Sequence, residues 1–261
     1  MPEGGAYSRD IYPADFDGDG LDEFVIEGPR LDGRELRDYP GFYLYDLDQS
    51  TRPRHLEEID LIDPYILTGD TEGDQKENLF LAGGDRSREM GFFIRLHHLH
   101  GYEDVISEIA QYNADSCDQF ERMIKLPNYY IRNSLRMTLS PDRGKALFVG
   151  LTLDESRLVN RQTHNPRVPG VPWTNVDGFL PIWSGENALV WRLEAFDSNG
   201  KIAWSQEMKR GLFMPLISAA ADVPYVAVSW PASHETMIFD SDTGKLIGRM
   251  KEPMKPSRRK R

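Results

Sequence analysis

The stretch "PADFDGDGLDEFVIEG" (13–28) returns 55 positions later as "TGDTEGDQKENLFLAG" (68–83). In both, a loop crowded with carboxylates runs straight into a short apolar run. Asp15, Asp17, Asp19 and Glu23 align with Asp70, Glu72, Asp74 and Asn78. A unit of this kind, recurring along a chain, constrains the fold more than any other feature here. It calls for a series of small antiparallel sheets, none of which can bury both faces by itself.

The rest of the chain extends the pattern. Short strand-like runs recur between turn signals: "EFVIEG" (23–28), "GFYLYDL" (41–47), "NLFLAGG" (78–84), "GFFIRLHHL" (91–99), "KALFVGLTL" (145–153), "ALVWRLEAF" (188–196), "KIAWSQEM" (201–208), "PYVAVSW" (224–230), "TMIFD" (236–240) and "KLIGRM" (245–250). "LSPDRGKALFVG" and "AADVPYVAVSW" read as later versions of the turn-then-strand unit with the acids of the loop gone. "AFDSNGKIAW" and "IFDSDTGKLIG" are two versions of one hairpin, with Gly200 and Gly244 supplying a positive φ. Helical periodicity is expected around 115–126, and at 102–112 either a helix or a strand. Residues 155–187, rich in Pro, Asn and Gly, read as a long connection of a length that is often functional. The expectation is an all-β fold of four-stranded antiparallel blades, stacked radially as a β-propeller or part of one. One domain spans 1–250, with repeats near 13–65, 66–135, 136–215 and 216–250, and a basic tail follows at 251–261.

The first loop has the donor spacing of a cation site. Counted from Asp15, carboxylates fall at positions 1, 3 and 5 (Asp15, Asp17, Asp19), a glycine at 6 (Gly20), a peptide carbonyl at 7 (Leu21) and an acid at 9 (Glu23). Hard oxygens in this order can wrap Ca²⁺, and the glycine permits the sharp turn. Zinc would ask for nitrogen or sulfur. An EF-hand is excluded, because position 12 is Ile26 where a bidentate Glu is required, and Pro13 interrupts any preceding helix. The second loop offers a weaker set: Asp70, Glu72, Asp74 and Asn78, with Gln75 in place of the turn glycine.

A loop of this kind opening a strand resembles the FG-GAP or VCBS repeat family (the integrin-alpha-like propellers), whose blades carry D-x-[DN]-x-D-G-x-x-D before a strand. The resemblance implies a calcium-stiffened β-propeller used for binding or as a scaffold. The hairpins at 196–204 and 239–248 are similar to those of quinoprotein-type propellers in their turns alone.

Other signals narrow the function. A net charge of −11 argues against nucleic acid as a partner. No apolar run reaches the roughly 18 residues of a membrane span. The tail "KEPMKPSRRKR" holds six basic residues and one acid, which makes it a solubilising end or a contact for an anionic surface. Cys117 is the only cysteine, so no intrachain disulfide forms. "MPEGGAYSRD" lacks the basic and apolar parts of a signal peptide. The expected location is extracellular or periplasmic if a leader has been removed, and cytoplasmic otherwise. "HHLH" (97–100) places two imidazoles on one strand face without a further ligand at metal spacing. No nucleophile elbow, phosphate loop or dinucleotide fingerprint occurs. Trp191, Trp204 and Trp230 read as core, while Trp173 and Trp183 on the long connection are candidate ligand platforms. The leading expectation is a calcium-stabilised, non-enzymatic binding or sensor module that contacts a protein or glycan through loops of one face. The alternatives are a polysaccharide lyase or glycosidase on the same scaffold, and a structural domain of a larger assembly.

Overall fold

Strands form here because apolar side chains fall on alternate positions, and on both faces where a strand lies between two cores. A computed structural model describes residues 11–18, 20–28, 41–46, 54–57, 59, 61–85, 92–96, 101–112, 118–131, 134–152, 159–160, 191–208, 215–230 and 234–251. The described residues are all-β, with antiparallel pairing throughout and a 3-10 turn at Pro141–Arg143.

Four successive antiparallel groups of strands, hydrogen-bonded into three sheets and each called a sheet below, account for most of the strands. The first contains β1 (Ile11–Ala14), β2 (Glu23–Gly28), β3 (Gly41–Tyr45) and β4 (Arg54–His55), in that order. The second contains β5 (Leu61–Gly69), β6 (Asn78–Asp85), β8 (Gly101–Tyr112) and β9 (Phe120–Ile131). Because β8 is twelve residues long, it outruns β6. Its first residues pair instead with β7 (Phe92–Leu96), which in turn pairs with β12 (Val159–Asn160). The third contains β10 (Arg136–Ser140), β11 (Lys145–Thr152), β13 (Arg192–Phe196) and β14 (Ile202–Glu207). A single pair, Tyr130 with Thr152, links β9 to β11, so the second and third groups form one ten-stranded hydrogen-bonded sheet. The fourth contains β15 (Leu216–Ser218), β16 (Tyr225–Trp230), β17 (Glu235–Asp240) and β18 (Leu246–Lys251).

Three cores fill the spaces between consecutive groups. Val25, Phe42 and Leu44 of the first meet Leu61, Leu79, Leu81, Ala110 and Tyr112 of the second. Phe80, Ala82, Ile109 and Tyr130 meet Leu135, Met137, Phe148 and Phe196 of the third. Leu147, Val149, Leu151, Trp191 and Trp204 meet Val226, Val228, Trp230 and Phe239 of the fourth. Strand period two explains the division. In β6, Leu79 and Leu81 face one core while Phe80 and Ala82 face the next. Continuous apolar runs such as "NLFLAGG" and "KALFVGLTL" are what a strand needs when both of its faces are buried.

The helix expected around 115–126 is corrected: its described part, from 118, leads into and forms β9. The 102–112 stretch belongs to strand β8. Phe120, Met123 and Ile124 have helical spacing, but Met123 and Ile124 pair with Ala110 and Ile109 across the sheet. Tertiary pairing overrides local spacing. The ladder then skips from Lys125 opposite Glu108 to Tyr130 opposite Ile106. Pro127 lies in the bulged stretch, where its missing N–H costs no ladder bond.

Candidate metal centre

The first hairpin turn organises its acids through the backbone. Asp15 follows β1, and Glu23 opens β2 opposite Ala14. Asp15 accepts from the Gly18 N–H through Oδ1 (2.7 Å) and from the Gly20 N–H through Oδ2 (3.0 Å). Glu23 Oε2 accepts from the Phe16 N–H at 2.8 Å. Gly18 and Gly20 hold φ of 78° and 88°, in the left-handed region where a side chain is strained. Ligand oxygens of Asp15, Asp17 and Glu23 thereby come within 4.8 Å of one another. Glu23 is only 7% exposed. Burial pushes its carboxyl above the ordinary range, the Phe16 N–H pulls it back, and the charges of Asp17 and Asp46 add to the rise. Three converging hard oxygens, without nitrogen or sulfur, are a donor set that could hold Ca²⁺. Leu21 is exposed on the same loop, and Asp19 lies outside the described residues.

The second turn makes the same backbone bonds with a different outcome. Asp70 accepts from the Gly73 N–H (2.6 Å) and the Gln75 N–H (2.8 Å), matching the Gly18 and Gly20 bonds. Gln75 adopts φ of 70° although it is not glycine. Asn78 Oδ1 accepts from the Thr71 N–H (3.0 Å) and the Thr71 hydroxyl (2.8 Å), in the place of Glu23 Oε2. The other arm of the side chain decides the chemistry. Where Glu23 has a second oxygen, Asn78 has an amide, and its buried Nδ2 has no hydrogen-bond partner. A donor there repels a cation. Asp74 Oδ1 is taken up by the Lys76 N–H at 3.1 Å. Among the described residues, only the first loop gathers three acidic, histidine or cysteine ligands.

The turns of different sheets interlock. The Glu77 N–H donates to the Asp15 carbonyl (3.0 Å), the Ala146 N–H to the Asp70 carbonyl (2.5 Å) and the Leu139 N–H to the Val223 carbonyl (3.1 Å). This brings together acids that are far apart in sequence. Burial, followed by the charges of Asp22, Asp15 and Asp222, raises the Glu77 carboxyl above its ordinary range. Sequence reading missed this convergence, and only the shared loop position of Asp22 and Glu77 hinted at it. A different buried acid, Glu194, lies between sheet partners and accepts from Asn128 Nδ2 (2.7 Å), Tyr130 Oη (3.0 Å) and Ser205 Oγ (3.2 Å).

Trp191, Trp204 and Trp230 are buried. Trp173, Trp183, Cys117, the histidines of "HHLH" and the tail beyond Lys251 lie outside the described residues. Among the described residues, no helix is long and apolar enough to cross a membrane.

No family model and no curated protein matches the chain. Two solved structures of AztD from Citrobacter koseri, one of them the apo form, share 14% identity with it over 92% and 93% of its length. Their TM-scores are 0.37 and 0.39. The chain spans 58% and 59% of the length of those two chains.

Proposed function

We propose that the protein is a calcium-stabilised, non-enzymatic binding or sensor module built as a β-propeller or part of one, similar to the FG-GAP/VCBS repeats. The observation that carries this reading is the approach of the Asp15, Asp17 and Glu23 oxygens to within 4.8 Å. Such a group is costly without a cation and favourable around one. The ion would close the β1–β2 turn, and so fix the first sheet against the backbone of the second through Asp15 and Glu77. A protein or glycan would then be held by loops at one end of the stacked sheets, with Trp173 and Trp183 as candidate platforms.

Calorimetric titration of EDTA-stripped protein with Ca²⁺, together with melting curves in calcium and in EDTA, tests the metal. One bound ion, a higher Tm in calcium and loss of both in Asp17→Ala are expected. A Tm indifferent to EDTA and a neutral Asp17→Ala would end the reading. For the ligand, glycan-array retention without turnover fits a binder, whereas depolymerisation of an acidic polysaccharide overturns the non-enzymatic assignment.

A further inference from the structure

The three cores are built alike, and each has a direction. A late hairpin of one sheet seats on the last strand of the sheet before it. Glu57, just past β4, donates its N–H to the Asp118 carbonyl at 2.8 Å, beside the turn that leads into β9. The Asp197–Gly200 turn of the third sheet lies on β9, so closely that a Cβ on Gly200 would stand 2.6 Å from the Lys125 carbonyl. The Asp240–Gly244 turn of the fourth lies on β14, where Trp204 Nε1 donates to the Ser241 carbonyl at 2.6 Å.

The same construction stops short at both ends. On the fourth sheet, register puts Leu216, Tyr225, Ile238 and Met250 on the face opposite Val226 and Val228. Leu216, Tyr225 and Met250 are 55%, 48% and 56% exposed. The last strand, β18, also exposes Leu246 and Ile247, and among the described residues no hairpin of a following sheet seats on it. On the first sheet, Ile11, Pro13, Phe24, Ile26 and Tyr45 share the face opposite Val25. Ile11 is 58% exposed. Terminal units of a stacked array ordinarily turn a polar face outward. Here the outward face of the fourth sheet mixes Leu216, Tyr225, Ile238 and Met250 with Ser218, Ser229, Thr236 and Asp240, and that of the first carries Ile11, Phe24, Ile26 and Tyr45.

We infer that these two faces are partners: the fourth sheet of one molecule docks on the first sheet of a second copy, head to tail. The occupant follows from continuity with the internal interfaces. Each of those joins the leading face of one sheet to the trailing face of the next, and among the described residues the two end faces are the one leading and one trailing face left over. A heterologous contact of this type closes into a ring or extends into a longer stack, depending on the rotation it imposes. The inference does not involve calcium and survives if the metal site fails.

Light scattering after gel filtration of the full chain tests it, with two sets of variants. Tyr225→Asp with Met250→Asp disables the fourth-sheet face, and Ile11→Asp with Tyr45→Asp disables the first. Wild type is expected at twice the 29.9 kDa chain mass or more. Each variant alone runs as a monomer, with circular dichroism confirming that it is folded. An equimolar mixture of the two forms a one-to-one dimer, because each retains the face that the other needs. The proposal is overturned if wild type is monomeric at all concentrations, if either folded variant still associates with itself, or if the mixture stays monomeric. Should a double variant fail to fold, Met250→Lys and Ile11→Lys, at more exposed positions, replace the pair under the same criteria.

Discussion

Replacing Glu23 by Gln converts the first loop into the chemistry of the second. Gln keeps one oxygen for the Phe16 N–H, so the turn retains its 2.8 Å bond. It puts an amide where the second oxygen stood, as Asn78 does. Two opposite effects follow. In calcium, wild type gains linkage energy that the variant loses, about 2.7 kcal/mol at a free concentration near 100 times Kd. For a chain of this size that is about 5–11 °C in Tm, at roughly 2–4 °C per kcal/mol. In EDTA the sign reverses. The Glu23 carboxyl is raised by burial, so its contribution to apo stability is present below the unfolded value of 4.5 and lost as pH rises through the folded value. At pH 7 the apo wild type has therefore lost stability by burying this carboxyl, a loss that the uncharged Gln of the variant does not share. The variant should melt at or above wild type in EDTA at pH 7, and this advantage should vanish below about pH 4.5. Scanning calorimetry in calcium and in EDTA at both pH values reads all four states. If Glu23→Gln responds to calcium as strongly as wild type, or is destabilised equally in calcium and EDTA at pH 7, the reasoning is refuted.

Three further expectations follow from the same geometry. Asn78→Asp supplies the missing acceptor and should raise the calorimetric stoichiometry by one calcium ion while lowering the Tm in EDTA; an unchanged stoichiometry counts against the amide's role. Glu77→Gln should raise the Tm at pH 7 by relieving the burial of a carboxylate near Asp22, Asp15 and Asp222. Its raised pKa means the gain closes below about pH 4.5, which melts across a pH series would reveal. Gly244→Ala should cost about 2 kcal/mol or more in urea unfolding, because a Cβ would stand 2.5 Å from the Trp204 ring at a φ of +66°. An unperturbed midpoint would show that the turn can move off Trp204.

What the sequence alone determined is local. Alternation marked β2 at its observed bounds and located β16 and β17 to within a residue, and continuous apolar runs did the same for β6 and β11, because a strand buried on both faces has little room for polar side chains. The approach of Asp15, Asp17 and Glu23 was also legible, since these side chains meet across a nine-residue turn set by Gly18 and Gly20; Asp19 of the same expected set lies outside the described residues. Short strands such as β4 and β15 left no trace, for two or three residues cannot show a period. The helix expected at 115–126 failed because Met123 and Ile124 take their partners from β8, and no local pattern encodes a partner. Tertiary structure alone decided the rest. Asp222 was brought toward Glu77, Trp204 was set beneath Gly244, and Leu216, Tyr225 and Met250 were left on an uncovered face. Each of these depends on how one sheet seats on another, a matter of side-chain shape across distant segments.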